Sequence, residues 1–221
     1  MKYAKGSYNK SNDSEQWIRI TEGCPNNCEF CYETKENGST PIYHEVPEII
    51  RNKVKIMDMN LIYKSLAKDI LNYLGDQRVN NKVVYYELIC GIDYRYMTQE
   101  LANALKVNRF KNIRLAWDHN IQEQKKIRQC VKCLLKAGYN PKEISIFMVC
   151  DWKISYKDNL FKMDLCKIWN VKINDCWYDN TKSPEFQLNY WTLDQCKDFR
   201  KKCRKHNQMV LFGIDPELKD V

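Results

Sequence analysis

No run of apolar residues here approaches the ~20 that would span a bilayer. The start, from Met1 to Lys10, also lacks the apolar stretch that marks a secreted chain. Cytoplasmic location is therefore expected, with no membrane partner. Arginine is the minor cation: 27 of the 36 basic residues are lysine, spread along the chain. A tuned phosphate-binding face favours arginine, so the formal charge of +8 reads as compositional bias and leaves a nucleic-acid partner open. A disulfide framework is not expected, because the eleven cysteines are odd in number and no secretion signal precedes them. A few should bind metal, and the rest should act as small buried hydrophobes.

With 221 residues, 44% of them hydrophobic and 29% charged, the chain reads as one soluble α/β domain, 1–221, entered through a polar arm, 1–16. Apolar, β-rich runs recur at Trp17–Thr21, Val54–Met57, Val83–Ile89, Ile113–Trp117, Ile144–Cys150 and Val171–Cys176, with a weaker one at Gln208–Ile214. Thr98, Asn120, Ser155 and Thr192 stand where short side chains cap the following helices. Gly75 and Gly138 stand where helices 61–74 and 121–137 should end in left-handed caps. Helix 121–137 carries an apolar stripe of Ile127, Val131, Leu134 and Leu135.

Repeated βα units imply parallel strands with right-handed crossovers. Six fall short of the eight that close a barrel, so the expected fold is a partial (β/α)6 TIM-like barrel. Its chemistry should collect at the C-terminal strand ends. One connection is irregular: the long polar loop 32–53 has room for only a short helix near Pro47–Asn52.

The first strand leads into Ile20-Thr-Glu-Gly-Cys24-Pro-Asn-Asn-Cys28-Glu-Phe30-Cys31. Three thiolates spaced C-x3-C-x2-C can hold three corners of an iron–sulfur cubane and leave the fourth iron open to a substrate. The alternative is a structural zinc site completed by His44, which would make the chain a non-catalytic metal-binding module.

Cys24, Cys28 and Cys31, with Phe30 before the third cysteine and their place after the first strand, resemble the signature of the radical S-adenosylmethionine superfamily. The resemblance implies the same partial barrel, a [4Fe–4S] cluster on the three cysteines, and S-adenosylmethionine as cofactor. It also implies a one-electron donor such as flavodoxin or ferredoxin, and a 5′-deoxyadenosyl radical that abstracts hydrogen from a substrate. The family's Gly-Gly-Glu-like segment is replaced by Asp58-Met59-Asn60, where Asp58 or Asn60 would accept from the methionyl amine. Asp118 falls where the ribose would be held, and Asn174 where the adenine would lie. Asp93, Arg95 and His119 fall on the substrate side, although Asp93 and Arg95 also suit a local ion pair. Cys90, Cys150 and Cys176 end three strands and would hold an auxiliary cluster only if all faced inward.

The chain carries little beyond the core barrel, and the aromatic stretch 177–191 suits a flat ligand. A nucleoside, nucleotide or nucleic-acid base is therefore the expected substrate. A glycyl-radical activase or another peptide-modifying enzyme is the alternative.

Overall fold

A computed structural model describes residues 6–31, 33, 37–118, 121–178 and 190–213. The strands are β1 (Tyr8–Ser11), β2 (Gln16–Arg19), β3 (Thr21–Glu22), β4 (Ile42–Tyr43), β5 (Lys53–Ile56), β6 (Arg78–Val79), β7 (Lys82–Val83), β8 (Tyr85–Leu88), β9 (Ile92–Asp93), β10 (Ile113–Ala116), β11 (Ile144–Cys150) and β12 (Lys172–Trp177). The α-helices are α1 (Ala67–Asp76), α2 (Gln99–Val107), α3 (Gln124–Lys136), α4 (Tyr156–Trp169) and α5 (Leu193–Phe212).

The parallel order is β2-β5-β8, then β9-β10-β11-β12. These seven segments are the six expected barrel strands. The third is interrupted at Gly91, whose φ of 88° takes the chain from β5's side to pair with β10. A Cβ at Gly91 would also press on the Phe147 ring at 3.3 Å. The partial (β/α)6 barrel of parallel strands is thus the observed architecture. Its layers close over Ile18, Ile56, Tyr86, Leu115, Ile146 and Ile173, each no more than 1% exposed.

The N-terminal arm is more ordered than its polarity implies. β1 pairs antiparallel with β2 from Tyr8↔Arg19 to Ser11↔Gln16, covering an edge that would otherwise be unpaired. Within the long loop, β4 pairs antiparallel with β3, and 47–52 form no helix.

Three helix caps form as read. Thr98 accepts from the Leu101 amide, Ser155 from Asp158, and Thr192 builds a reciprocal capping box with Gln195. Asn120 lies outside the described residues. Gly138 adopts the left-handed conformation after α3, but Gly75 does not end its helix. It lies inside α1, and a Cβ there would fall 1.8 Å from Asn108 Oδ1, so close approach requires the glycine. The weak strand at Gln208–Ile214 is instead the last turns of α5, to Phe212. There Val210 continues a buried stripe of Phe199, Cys203 and His206 at helical spacing. In α3, Cys130 joins Ile127, Val131 and Leu134 on the buried face, while Leu135 is 38% exposed. Among the described residues, no helix is long and apolar enough to cross a membrane.

Candidate functional site

The C-terminal ends of the strands surround a cavity of about 330 Å3. Cys24, Cys28 and Cys31 line it, with Phe30, Asn60, Asp93, Arg95 and Asp118. Eight sequence-selected residues therefore meet in one place. His119 lies outside the described residues.

The cysteine loop is anchored through its backbone. Gly23 adopts φ 82°, and a Cβ on it would fall 2.2 Å from the Thr40 carbonyl oxygen. The Gly23 amide donates to Glu33 Oε1 at 2.9 Å, and its carbonyl accepts from Lys64 Nζ at 3.0 Å. Lys64 is 2% exposed and also donates to the Met59 carbonyl at 2.8 Å, tying the loop to the end of the second barrel strand. Sequence reading missed Lys64 and Glu33, because their partners are main-chain groups brought close only by folding.

Asp58 does not line the cavity. It is 1% exposed and accepts from the Ile20 amide at 2.9 Å and the Thr21 hydroxyl at 2.6 Å, just before the cysteine loop. Burial pushes its carboxyl up to about 6, against the opposing effect of those hydrogen bonds. Asn60 does face the cavity. It caps the short 3-10 turn Leu61–Tyr63 from a left-handed backbone without using its side chain. Its Nδ2 points to Cys24 Sγ at 3.8 Å, and its Oδ1 is buried without a hydrogen-bond partner.

Asp93 and Arg95 form the local pair that their spacing allows. Arg95 Nε and Nη2 donate to the carboxylate at 2.9 and 2.7 Å, and Asn26 of the cysteine loop donates to the same group. Asn174 lies deeper and donates to Ser145 Oγ at 3.3 Å, away from the cavity wall. Glu87 is engaged with Arg114 and Asn112.

The three strand-end cysteines do not face one way. Cys90 and Cys176 line the cavity, whereas Cys150 is fully buried, with its sulfur 3.8 Å from Asn159 Nδ2 of α4. The condition for an auxiliary cluster on all three is not met, because β11 alternates its faces and Val149 takes the cavity position.

A second cavity of about 390 Å3 adjoins the first and shares Cys28, Phe30 and Asp118 with it. Trp152 forms its aromatic wall, edge-on to Phe30 at 6.2 Å and 4.2 Å from Tyr178. Asp151 sets this wall from a left-handed backbone, its Oδ1 accepting from the Tyr190 and Trp191 amides at 2.7 and 2.8 Å. Burial pushes Asp118 up to about 7, opposed by Lys162, whose ammonium is fully buried and donates to the Trp117 carbonyl at 2.9 Å.

The three thiols suit an iron–sulfur cluster, and the fourth ligand that a zinc site would take from His44 is not offered. Burial first, then neighbouring Cys31, Asp118 and Cys24, pushes the Cys28 thiol up to about 11, and burial also raises Cys31. Metal coordination would favour the thiolate form against that burial. Among the described residues, no three acid, thiol or imidazole groups close on a single ion position. His44 is turned away from the cysteines, with Nε2 3.3 Å from Glu22 Oε2.

No family model matches the sequence, and no curated protein does. Solved structures do match. One is TsrM from Kitasatospora setae, a radical S-adenosylmethionine methyltransferase with cobalamin and a [4Fe–4S] cluster bound. It aligns with a TM-score of 0.60 at 12% identity, over 73% of this chain and 34% of that one. TsrM with tryptophan substrate and aza-SAM gives 0.60 at 11%, over 75% and 36%. HemN, the coproporphyrinogen III oxidase of Escherichia coli and a radical SAM enzyme, gives 0.59 at 10%, over 89% and 52%. The chain shares the partial-barrel fold of these structures. It spans between a third and a little over half the length of these radical SAM structures.

Proposed function

We propose that this chain reductively cleaves S-adenosylmethionine and uses the resulting radical to abstract hydrogen from a nucleoside, nucleotide or nucleic-acid base. One observation carries the reading: three cysteines, on the loop after the first barrel strand, ring one strand-end cavity beside the unpartnered Asn60 Oδ1. When bound, a [4Fe–4S] cluster and S-adenosylmethionine supply the electron and the sulfonium C–S bond whose rupture gives methionine and a 5′-deoxyadenosyl radical. Cys24, Cys28 and Cys31 hold the cluster, and Asn60 Oδ1 accepts from the methionyl ammonium. Arg95, oriented by Asp93, leaves its outer edge for a carboxylate. Asp118 and the aromatic wall of Phe30 and Trp152 stand where the two cavities meet, so a flat base can stack beside the cofactor. The electron enters from a donor of the flavodoxin or ferredoxin type.

The test combines a variant with an isotope. Cys28→Ala should lose both iron and 5′-deoxyadenosine formation; cleavage retained by that variant defeats the ligand assignment. Deuterium carried from a labelled nucleoside or oligonucleotide into 5′-deoxyadenosine would establish the substrate class. Its appearance only from a peptide would overturn that part.

A further inference from the structure

Helix α5 carries a stripe that neither the core nor the cysteine cavity uses. Its buried face is Cys196, Phe199, Cys203, His206 and Val210. Lys197, Arg200, Lys201, Arg204, Lys205 and Gln208 line a separate concavity of about 450 Å3. Their i, i+3, i+4, i+7 spacing collects five cations on one side of the helix. The ion pairs this helix makes among the described residues are Arg200 with Asp175 and Lys202 with Asp198, whose carboxylate is also drawn down by Lys201; Lys197, Arg204 and Lys205 make no ion pair among them. Like charges at i, i+4, as in Lys197–Lys201–Lys205 and Arg200–Arg204, destabilise a helix unless an anion lies across them.

The stripe from Lys197 to Gln208 runs about 16 Å at 1.5 Å per residue, long enough for a row of phosphates. Arg200 connects it to the cavity. Its guanidinium lies over the Trp177 ring at 4.9 Å, and Trp177 lines the cysteine cavity beside Tyr178. A row of cations leading to half-buried rings on a cavity wall can hold a phosphate backbone and stack a base. An acidic protein would engage the cations but not the rings.

We propose that the α5 stripe binds the backbone of a polynucleotide, one base of which reaches the cysteine cavity. The substrate is then a nucleic-acid strand and not a free nucleoside. Delivery of a base to the cavity rests on the radical reading above, whereas backbone binding is measured independently of it.

The test uses cluster-reconstituted protein and the fluorescence anisotropy of labelled single-stranded RNA and DNA, each about 20 nucleotides, at salt from about 50 to 200 mM. Lys197→Gln/Lys201→Gln/Lys205→Gln should weaken binding about tenfold or more. It should also lower the slope of log K against log salt by about 2, since each phosphate that a cation neutralises on a single strand adds ~0.7. Helical circular dichroism and substrate-free cleavage of S-adenosylmethionine should be unchanged. Preference for RNA or for DNA would name the strand and support the proposal. Wild-type affinity in the triple variant, or no wild-type binding of either strand at about 50 mM salt, would overturn it. So would a variant that loses only an acidic electron-donor protein. Salt-sensitive binding without cleavage would defeat the radical reading and leave the phosphate surface standing.

Discussion

The Asp58 carboxylate lies 2.6 Å from the Thr21 hydroxyl and fastens the end of the second barrel strand to the residues leading into the cysteine loop. Its folded-state value, about 6, is above the ordinary 3.8. Between those values the folded chain holds a proton that the unfolded chain has released. Stability from this group is therefore full below about pH 4 and falls as pH rises to 6, by roughly 3 kcal/mol at about 1.4 per unit. Asp58→Asn should flatten that fall when denaturant melts are compared across pH 4–6.5. An unchanged difference between the two melts would remove Asp58 as its source.

Gly23→Ala should destabilise the chain more than Gly38→Ala. Both glycines have positive φ, which costs an L-residue about 1–2 kcal/mol. Only Gly23 faces a backbone oxygen at 2.2 Å; nothing lies within 4 Å of a Cβ at Gly38. Iron content after reconstitution and thermal midpoints should both rank wild type, then Gly38→Ala, then Gly23→Ala.

Asn60→Ala should weaken S-adenosylmethionine binding about tenfold or more, because hydrogen bonds to a charged group are worth about 1.5–3 kcal/mol. A small loss of stability should accompany it, because alanine tolerates the left-handed backbone at Asn60 less well than asparagine does. Calorimetric titration of cluster-loaded protein checks the affinity. A lower melting point with unchanged affinity would make Asn60 structural.

Lys162 gives a pH effect of opposite sense. Burial lowers its ammonium from 10.5 to about 8, against the pull of Asp118. Between those values the unfolded chain carries the extra proton, so stability rises with pH from about 8 to 10.5, by roughly 3 kcal/mol. Lys162→Met should lack that rise in urea melts; a parallel curve would contradict the assignment.

Much of this fold is legible because six β-rich runs alternate with capped helices, and their order alone dictates a parallel partial barrel. Local signals carry over wherever one residue type has one use, as with the caps at Thr98, Ser155 and Thr192. They fail where a tertiary neighbour decides. Gly75 is required by Asn108 and not by a helix end, and the run at Gln208–Ile214 continues α5 to Phe212, where Asn207 just before it bonds the Ile173 backbone of β12 through its side chain. The β6–β7 hairpin turns on Asn80 and Asn81, both left-handed, a weaker sequence signal than Asn-Gly. Within the site, the cysteines and Asn60 are readable from position in the βα array. Asp58 is not, because strand position alone cannot tell a carboxylate facing a ligand from one fastening the neighbouring loop. Lys64 and Glu33 bond to backbone atoms far along the chain, so no local pattern announces them.

The most direct test is anaerobic reconstitution of the chain with iron and sulfide. The account predicts a [4Fe–4S] spectrum that changes on adding S-adenosylmethionine, and 5′-deoxyadenosine once dithionite supplies the electron. Tetrahedral zinc with no iron uptake, or a cluster that leaves S-adenosylmethionine intact, would contradict it.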